Sequence, residues 1–379
     1  VRISFDEPIT VDATDAVVVR SDRGVTIPCR PAAAVDPYDI TSVICPLPRV
    51  LAKGRYTITW HVTSFDSHVA RGVIFFGIGV PAGSPAEPPA SPFDPSAPLA
   101  TILRALMLYG TLIACGALAF EAIVGRRAGS RERIAKRCTR ITAISASVAL
   151  LACFPALLVQ TIAVTGSNDA VLLEGVILAT AWGHAWILHV IALATLVALS
   201  PVLADPIADR VAFVASLTAM LAFSISGHAT GMAHDHPALG NVVADVVHLA
   251  GAGIWIGGLV AFLIASPFGD VRAVIVAFSP AASAAALAIA LSGTYAAIVH
   301  VGAPEHYTDS PYGLIVVAKI VLFVALVALG ARNLARGRAL LGPSGFVRDT
   351  AIEATLAVAA VALSAMLTGL PPPHAHAVP

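Results

Sequence analysis

The sequence predicts a small all-β sandwich followed by an all-α polytopic membrane bundle of about eight transmembrane helices. Three observations carry this prediction. Apolar residues make up 57% of the chain and charged residues only 12%, with a mean hydropathy of +0.84, whereas ordinary globular domains are about one-quarter charged. The first 80 residues depart from that composition and alternate in polarity. A proline-rich stretch then separates the two regions.

Residues 1–80 contain the short runs "VRISF", "AVVVR", "RYTITWHV" and "VIFFGIGV", divided by Pro, Gly and Asp. Alternation at period two, rich in β-branched and aromatic residues, reads as the strands of a small antiparallel sandwich. The chain opens at Val1 with neither an initiator Met nor a signal sequence, which reads as a processed or truncated product. Residues 81–98 place seven prolines in eighteen positions, the composition of a stiff extended linker. Eight apolar stretches follow, near 99–124, 140–164, 181–204, 209–227, 241–265, 272–299, 312–331 and 350–370, each about the length that crosses a bilayer core. "NDAVLLEGVILATAWGHAW" holds an additional helix ahead of the third span or a longer start to it. A short tail, 374–379, carries two histidines.

Lys and Arg orient the bundle. Residues 125–140 carry seven positive side chains against one Glu, and Arg210, Arg272, Arg332, Arg336, Arg338 and Arg348 fall on the same side. The loops around 165–180, 228–240 and 300–311 and the C-terminal tail contain no Lys or Arg. The positive-inside rule puts 125–140 in the cytoplasm and the strand domain and C-terminus outside a cytoplasmic membrane. On this map all twelve histidines lie outside or in the outer half of the bundle, and the inner half is poor in evident ligands.

Imidazole suits copper, zinc, nickel and iron. In "SFDSHVARG", Asp66 and His68 are two apart and share a strand face. Asp245 and His248 stand at i, i+3 on one helix, so they point the same way. Asp245 either ligates a metal, orients a metal-bound imidazole or pairs with Lys319 or Arg104. His228 ends the preceding span, where it either meets His248 across a short loop or makes a helix-end hydrogen bond. His184 and His189 point about 140° apart on an ideal helix and do not share one ion. His234, His236, His300, His306, His374 and His376 read as a loose capture surface. Met107, Met232 and Met366 offer thioether to Cu(I), though lone methionines are usually packing. Cys29 and Cys45 are placed where a disulfide is permitted. Cys115, Cys138 and Cys153 show no site. Zero net charge argues against a nucleic-acid partner. With no nucleophile–base pair, phosphate loop or Walker sequence, the expectation is a protein that is not an enzyme.

"LAKGRYTITWHVTSFDSHVARGVIFFGIG" resembles the closing strands of the copper-resistance family CopC, a periplasmic cupredoxin-like (Ig-like) sandwich, through Gly54, Tyr56, Trp60, the Ser64–Asp66–His68 run and Gly72. The resemblance implies Cu(II) ligation by Asp66 and His68. The family's opening strand and N-terminal His have no counterpart here. The membrane region resembles CopD, through "SGHA" (226–229), "DVVHLAGAGIWIGGL" (245–259), "SPYGLIVVAK" (310–319), "GARNLARG" (330–337), "VRDTAIEATLAV" (347–358) and "LPPP" (370–373). The two joined imply copper uptake, with ligands at Asp66, His68, His228, His234, His236, Asp245 and His248 and with Cu(II), Cu(I) or both as the ion. Expected partners are copper ions, the lipid bilayer and a periplasmic copper chaperone. The competing readings are outer-face copper sequestration without net transport and a haem-bearing electron-transfer protein. The second is disfavoured because the inner leaflet holds no His.

Overall fold

The computed structural model describes residues 1–5, 8–11, 16–48, 51–64, 69–80, 97–124, 131–165, 170–203, 205–226, 238–265, 271–338 and 343–370. The first region holds β1 (Arg2–Ser4), β2 (Ile9–Thr10), β3 (Val17–Ser21), β4 (Thr26–Ile27), β5 (Ala34–Asp36), β6 (Asp39–Ile44), β7 (Gly54–Ser64) and β8 (Val69–Ile78). Every pairing is antiparallel. One sheet runs β1-β6-β5. In the other, β2 and β3 share one edge of β7, while β8 pairs along its opposite edge.

The alternation is what closes these sheets face to face. In β7 the side chains of Tyr56, Ile58 and Val62 are buried, and β3 adds Val17 and Val19. Ile3 and Val43 of the three-stranded sheet join the same apolar cluster. Cys29, just past β4, is disulfide-bonded to Cys45, just past β6, so the expected bridge forms and staples one sheet to the other.

The helical region runs α1 (Ala97–Val124), α2 (Arg131–Thr165), α3 (Ala170–Ala179), α4 (Ala181–Leu199), α5 (Pro206–Ile225) and α6 (Ala238–Ala252). A π-helical turn at Gly253–Gly257 leads into α7 (Gly258–Ala265), α8 (Val271–Val301), α9 (His306–Asp309), α10 (Pro311–Arg338) and α11 (Pro343–Leu367). Among the described residues eight helical stretches are long and apolar enough to span a bilayer, close to the eight expected. The ambiguous segment resolves into the short α3 and a separate α4. The break falls at Thr180, whose hydroxyl accepts the Gly183 N–H at 2.9 Å and so caps the new helix.

Large apolar side chains such as Leu151 and Val321 are more than 60% exposed on the outside of these helices, which only a lipid environment accommodates in such number. The protein is a multi-pass membrane protein. Inside, Leu108, Leu112 and Cys115 of α1 pack with Met220, Trp255, Leu326 and Ala357. Glycine sets the closest approach. A Cβ on Gly116 would lie 2.2 Å from the Gly253 carbonyl oxygen and 2.4 Å from Gly257 Cα, so α1 meets the π-helical turn backbone to backbone, as small residues permit in membranes.

Candidate metal centre

Along α6 the polar residues Asn241, Asp245 and His248 follow a 4,3 spacing, which is one stripe of a helix. Val243 and Val247 lie on the other side and are exposed. The helix therefore turns its polar face inward and its valines toward lipid. Three further helices bring polar groups to that stripe. Ser224 of α5 faces the Asp245 carboxylate, and Lys319 and Tyr312 of α10 lie within electrostatic reach of it. Lys319 also bears on His248. From α8, Tyr295 donates its hydroxyl hydrogen to Asn241 Oδ1 at 2.9 Å, and Ser292 meets the imidazole.

One buried polar atom of this group, Asn241 Nδ2, has no hydrogen-bond partner. Groups buried in that way normally belong to a site that takes water or a ligand.

Hydrogen bonding fixes which imidazole nitrogen is on offer. Ser292 Oγ donates its one hydrogen to the Ala288 carbonyl at 2.6 Å. Its contact with His248 Nδ1 at 3.1 Å is then satisfied by a ring N–H that donates to the hydroxyl, and the Ile289 backbone also bonds the ring. A neutral imidazole with its proton on Nδ1 carries its lone pair on Nε2. That is the arrangement in which a second residue orients a metal-ligating histidine. Gly293 makes room for the ring, since a Cβ there would lie 3.2 Å from His248 Cε1.

Asp245 and His248 both lie within electrostatic reach of Lys319. Of the two cations weighed as partners for Asp245, Lys319 is the one at the site, while Arg104 Nη1 lies against Gly369 beyond the end of α11. Asp66, His68, His228, His234, His236, His374 and His376 lie outside the described residues. Among the described residues no group of three or more His, Cys, Asp and Glu side chains is placed to hold a metal; the described part of the site contributes one carboxylate and one imidazole.

The other histidines are engaged elsewhere. His189 is buried and its Nε2 bonds Thr111 Oγ1 at 3.1 Å. His184 Nε2 lies 2.9 Å from the Leu178 carbonyl oxygen, and His306 Nδ1 lies 3.3 Å from that of Val301. Met107 is buried, in line with packing.

One polar group went unread in the sequence. Glu353 of α11, only 3% exposed, accepts the Trp255 indole N–H at 3.1 Å and an Asn333 amide hydrogen at 2.9 Å. The sequence reading found the inner half poor in evident ligands and did not single out this carboxylate. A Glu inside an apolar run is itself a signal, because an ionisable residue within a span is costly to keep there.

A β-sandwich followed, among the described residues, by eight apolar helices long enough to span a bilayer, with Asp245 and His248 on one face of α6, defines a two-part membrane protein. Residues 1–79 match the family model of the CopC domain, residues 95–235 that of the copper resistance protein D-like N-terminal domain, and residues 272–367 that of copper resistance protein D. The chain belongs to the CopC–CopD fusions. It is similar to the copper transport protein CutJ of Bacillus subtilis (strain 168), being 27% identical over 398 residues that cover 98% of this chain and 71% of that protein. No solved structure matches.

Proposed function

We propose that this protein binds copper on the outer face of the cytoplasmic membrane and carries it inward, acting as a transporter and not as an enzyme. In this reading the sandwich captures the ion with Asp66 and His68, and the bundle receives it at Asp245 and His248, completed by His228. The N-terminal domain and the C-terminal tail lie outside the cell. The observation that carries the proposal is the held ring of His248, with Nδ1 3.1 Å from Ser292 Oγ and Asp245 one turn away on the same helix face. The copper named in the matching families and in the similar transporter supports the choice of ion. Imidazole nitrogen and carboxylate oxygen suit Cu(II), and imidazole also serves Cu(I).

Copper accumulation by cells producing wild-type protein or His248→Ala, at controlled external copper, tests it. His248→Ala is expected to abolish protein-dependent accumulation while insertion and folding persist, because the helix is held by its apolar contacts. Asp245→Asn is expected to lose as much if the carboxylate ligates, and less if it only orients. Accumulation by His248→Ala at the wild-type rate would remove the site from the pathway. Copper bound by the wild type with no net gain inside the cell would make it a sequestering protein instead.

A further inference from the structure

We propose that the polar group around Glu353 is a second cation site, apart from copper, which takes a hard monovalent cation, a proton or sodium, on the oxygens of Glu353 and Asn333. A cavity of about 310 Å³ opens beside it, lined by Trp255, Ser279, Ser283, Gly330, Asn333 and Glu353 among apolar side chains. It lies toward the bundle end that carries Arg332 and Arg348.

Four observations converge. Glu353 Oε1 accepts from Trp255 and Oε2 from Asn333, and both donors are neutral, so the carboxylate's charge is not cancelled by them. Each oxygen keeps a further lone pair. Asn333 is 95% buried, lines the same cavity, and its Oδ1 has no hydrogen-bond partner. Finally, Gly330, one turn before Asn333 on α10, keeps the space beside the carboxylate clear. A Cβ there would lie 3.3 Å from Glu353 Oε1 and 4.0 Å from Trp255 Cζ2.

Acceptors that converge on apolar space are stabilised by a cation, since a bare buried charge is costly. No His, Cys or Met lines the cavity, so Cu(I) finds none of the ligands it prefers. A single carboxylate is neutralised by one positive charge, whereas a divalent ion would leave the site charged in a low-dielectric setting. Other charges nearby are already matched. Asp349, one turn away on α11, pairs with Arg332 at 3.0 Å and Arg348 at 3.8 Å. Neither α8 nor the π-helical turn contributes a charged residue to the lining. The site is also separate from the metal centre, because Trp255 follows His248 by seven residues, about 10 Å along a helix.

Trp255 supplies the probe. Full-length protein in nanodiscs, free of copper, is titrated with sodium chloride against choline chloride at fixed pH, and separately with acid in choline chloride. Tryptophan emission is followed, and the Trp255 part is taken as the difference from Trp255→Phe. The expected result is a saturable change in the Trp255 emission. A response to sodium at fixed pH identifies sodium, and a response to pH alone identifies a proton. Glu353→Gln is expected to lose the response. Gly330→Ala is expected to weaken it by roughly tenfold by crowding the ion's place. Glu353→Asp keeps the charge but withdraws it and is expected to move the midpoint, which covers the case in which Glu353→Gln does not fold. A wild-type protein silent in both titrations overturns the proposal. So does a response that survives Glu353→Gln, or a midpoint unmoved in Glu353→Asp. Because copper is absent throughout, failure here leaves the copper proposal standing, and the converse holds.

Discussion

Ser292 is a small residue with a large say, because its hydroxyl determines which nitrogen of His248 carries the proton. With the Ser292 hydrogen committed to Ala288, removing the hydroxyl releases the Nδ1–H and lets the ring turn. Ser292→Ala is expected to weaken copper binding by about 10- to 100-fold, the usual effect of losing such a partner, with little change in fold. Copper titration of the purified protein checks this, and unchanged affinity would mean that the tautomer is set elsewhere. A second residue-level prediction concerns Asp39 at the start of β6. Its carboxylate accepts from Thr41 Oγ1 at 2.6 Å, Ser42 Oγ at 2.7 Å, the Thr41 N–H at 3.1 Å and Arg2 at 2.6 Å. The Thr41 hydroxyl first, then Ser42, the Thr41 amide and Arg2, hold its carboxyl well below the usual carboxylate range. A depressed value in the folded state means stability that is present above the ordinary value, about 3.9, and lost as pH falls below it. Hydrogen-exchange protection of β6, corrected for the intrinsic pH effect, should therefore drop below about pH 4. In Asp39→Asn it should be lower at neutral pH and flatter in acid.

At the scale of elements, α1 meets the π-helical turn with backbone against backbone. Gly116 and Gly257 leave no room for a side chain, and a Cβ on Gly257 would stand 2.6 Å from the Leu112 carbonyl oxygen. Backbone cannot step aside as a flexible side chain can. Gly116→Ala is expected to destabilise the protein by about 1–3 kcal/mol, the range for forced overpacking. Gly175→Ala, with nothing within 4 Å of the added Cβ, serves as the neutral control. Thermal unfolding in detergent compares them, and equal melting temperatures would show that the joint yields. The π-helical turn also separates two polar sites on one span, with His248 before it and Trp255 inside it. Single-turn widenings of this kind are frequent at functional sites. The glycines of "HLAGAGIWIGGL" mark it in the sequence, although a hydropathy reading passes over it as one uninterrupted helix.

For the whole molecule, the placement of Lys and Arg leads to a direct test of orientation. Cysteine labelling at Ser130 and at Ala375 is expected to give opposite sidedness, since seven of the spans lie between them. Equal sidedness would undo the topology. Much of this architecture was legible from one dimension. Strand alternation, the lengths of the apolar runs and the spacing of Asp245 and His248 are properties of neighbours in the chain, and local backbone geometry turns them directly into faces and spans. The disulfide was legible too, as a pair of cysteines within one small domain. Other features were not. Ser292 reaches His248 across 44 residues and Trp255 reaches Glu353 across 98, and only the packing chose Lys319 over Arg104 as the cation near Asp245. Membrane helices that are apolar on nearly every face carry little periodicity to show which side turns inward. That choice is made by packing between spans, where glycines permit close approach and each buried polar group has to meet another. Composition and pattern determined that the chain would be a sandwich followed by apolar spans; the tertiary structure alone decided which polar groups would face each other, because that choice is made by packing between helices and not by the order of neighbours along the chain.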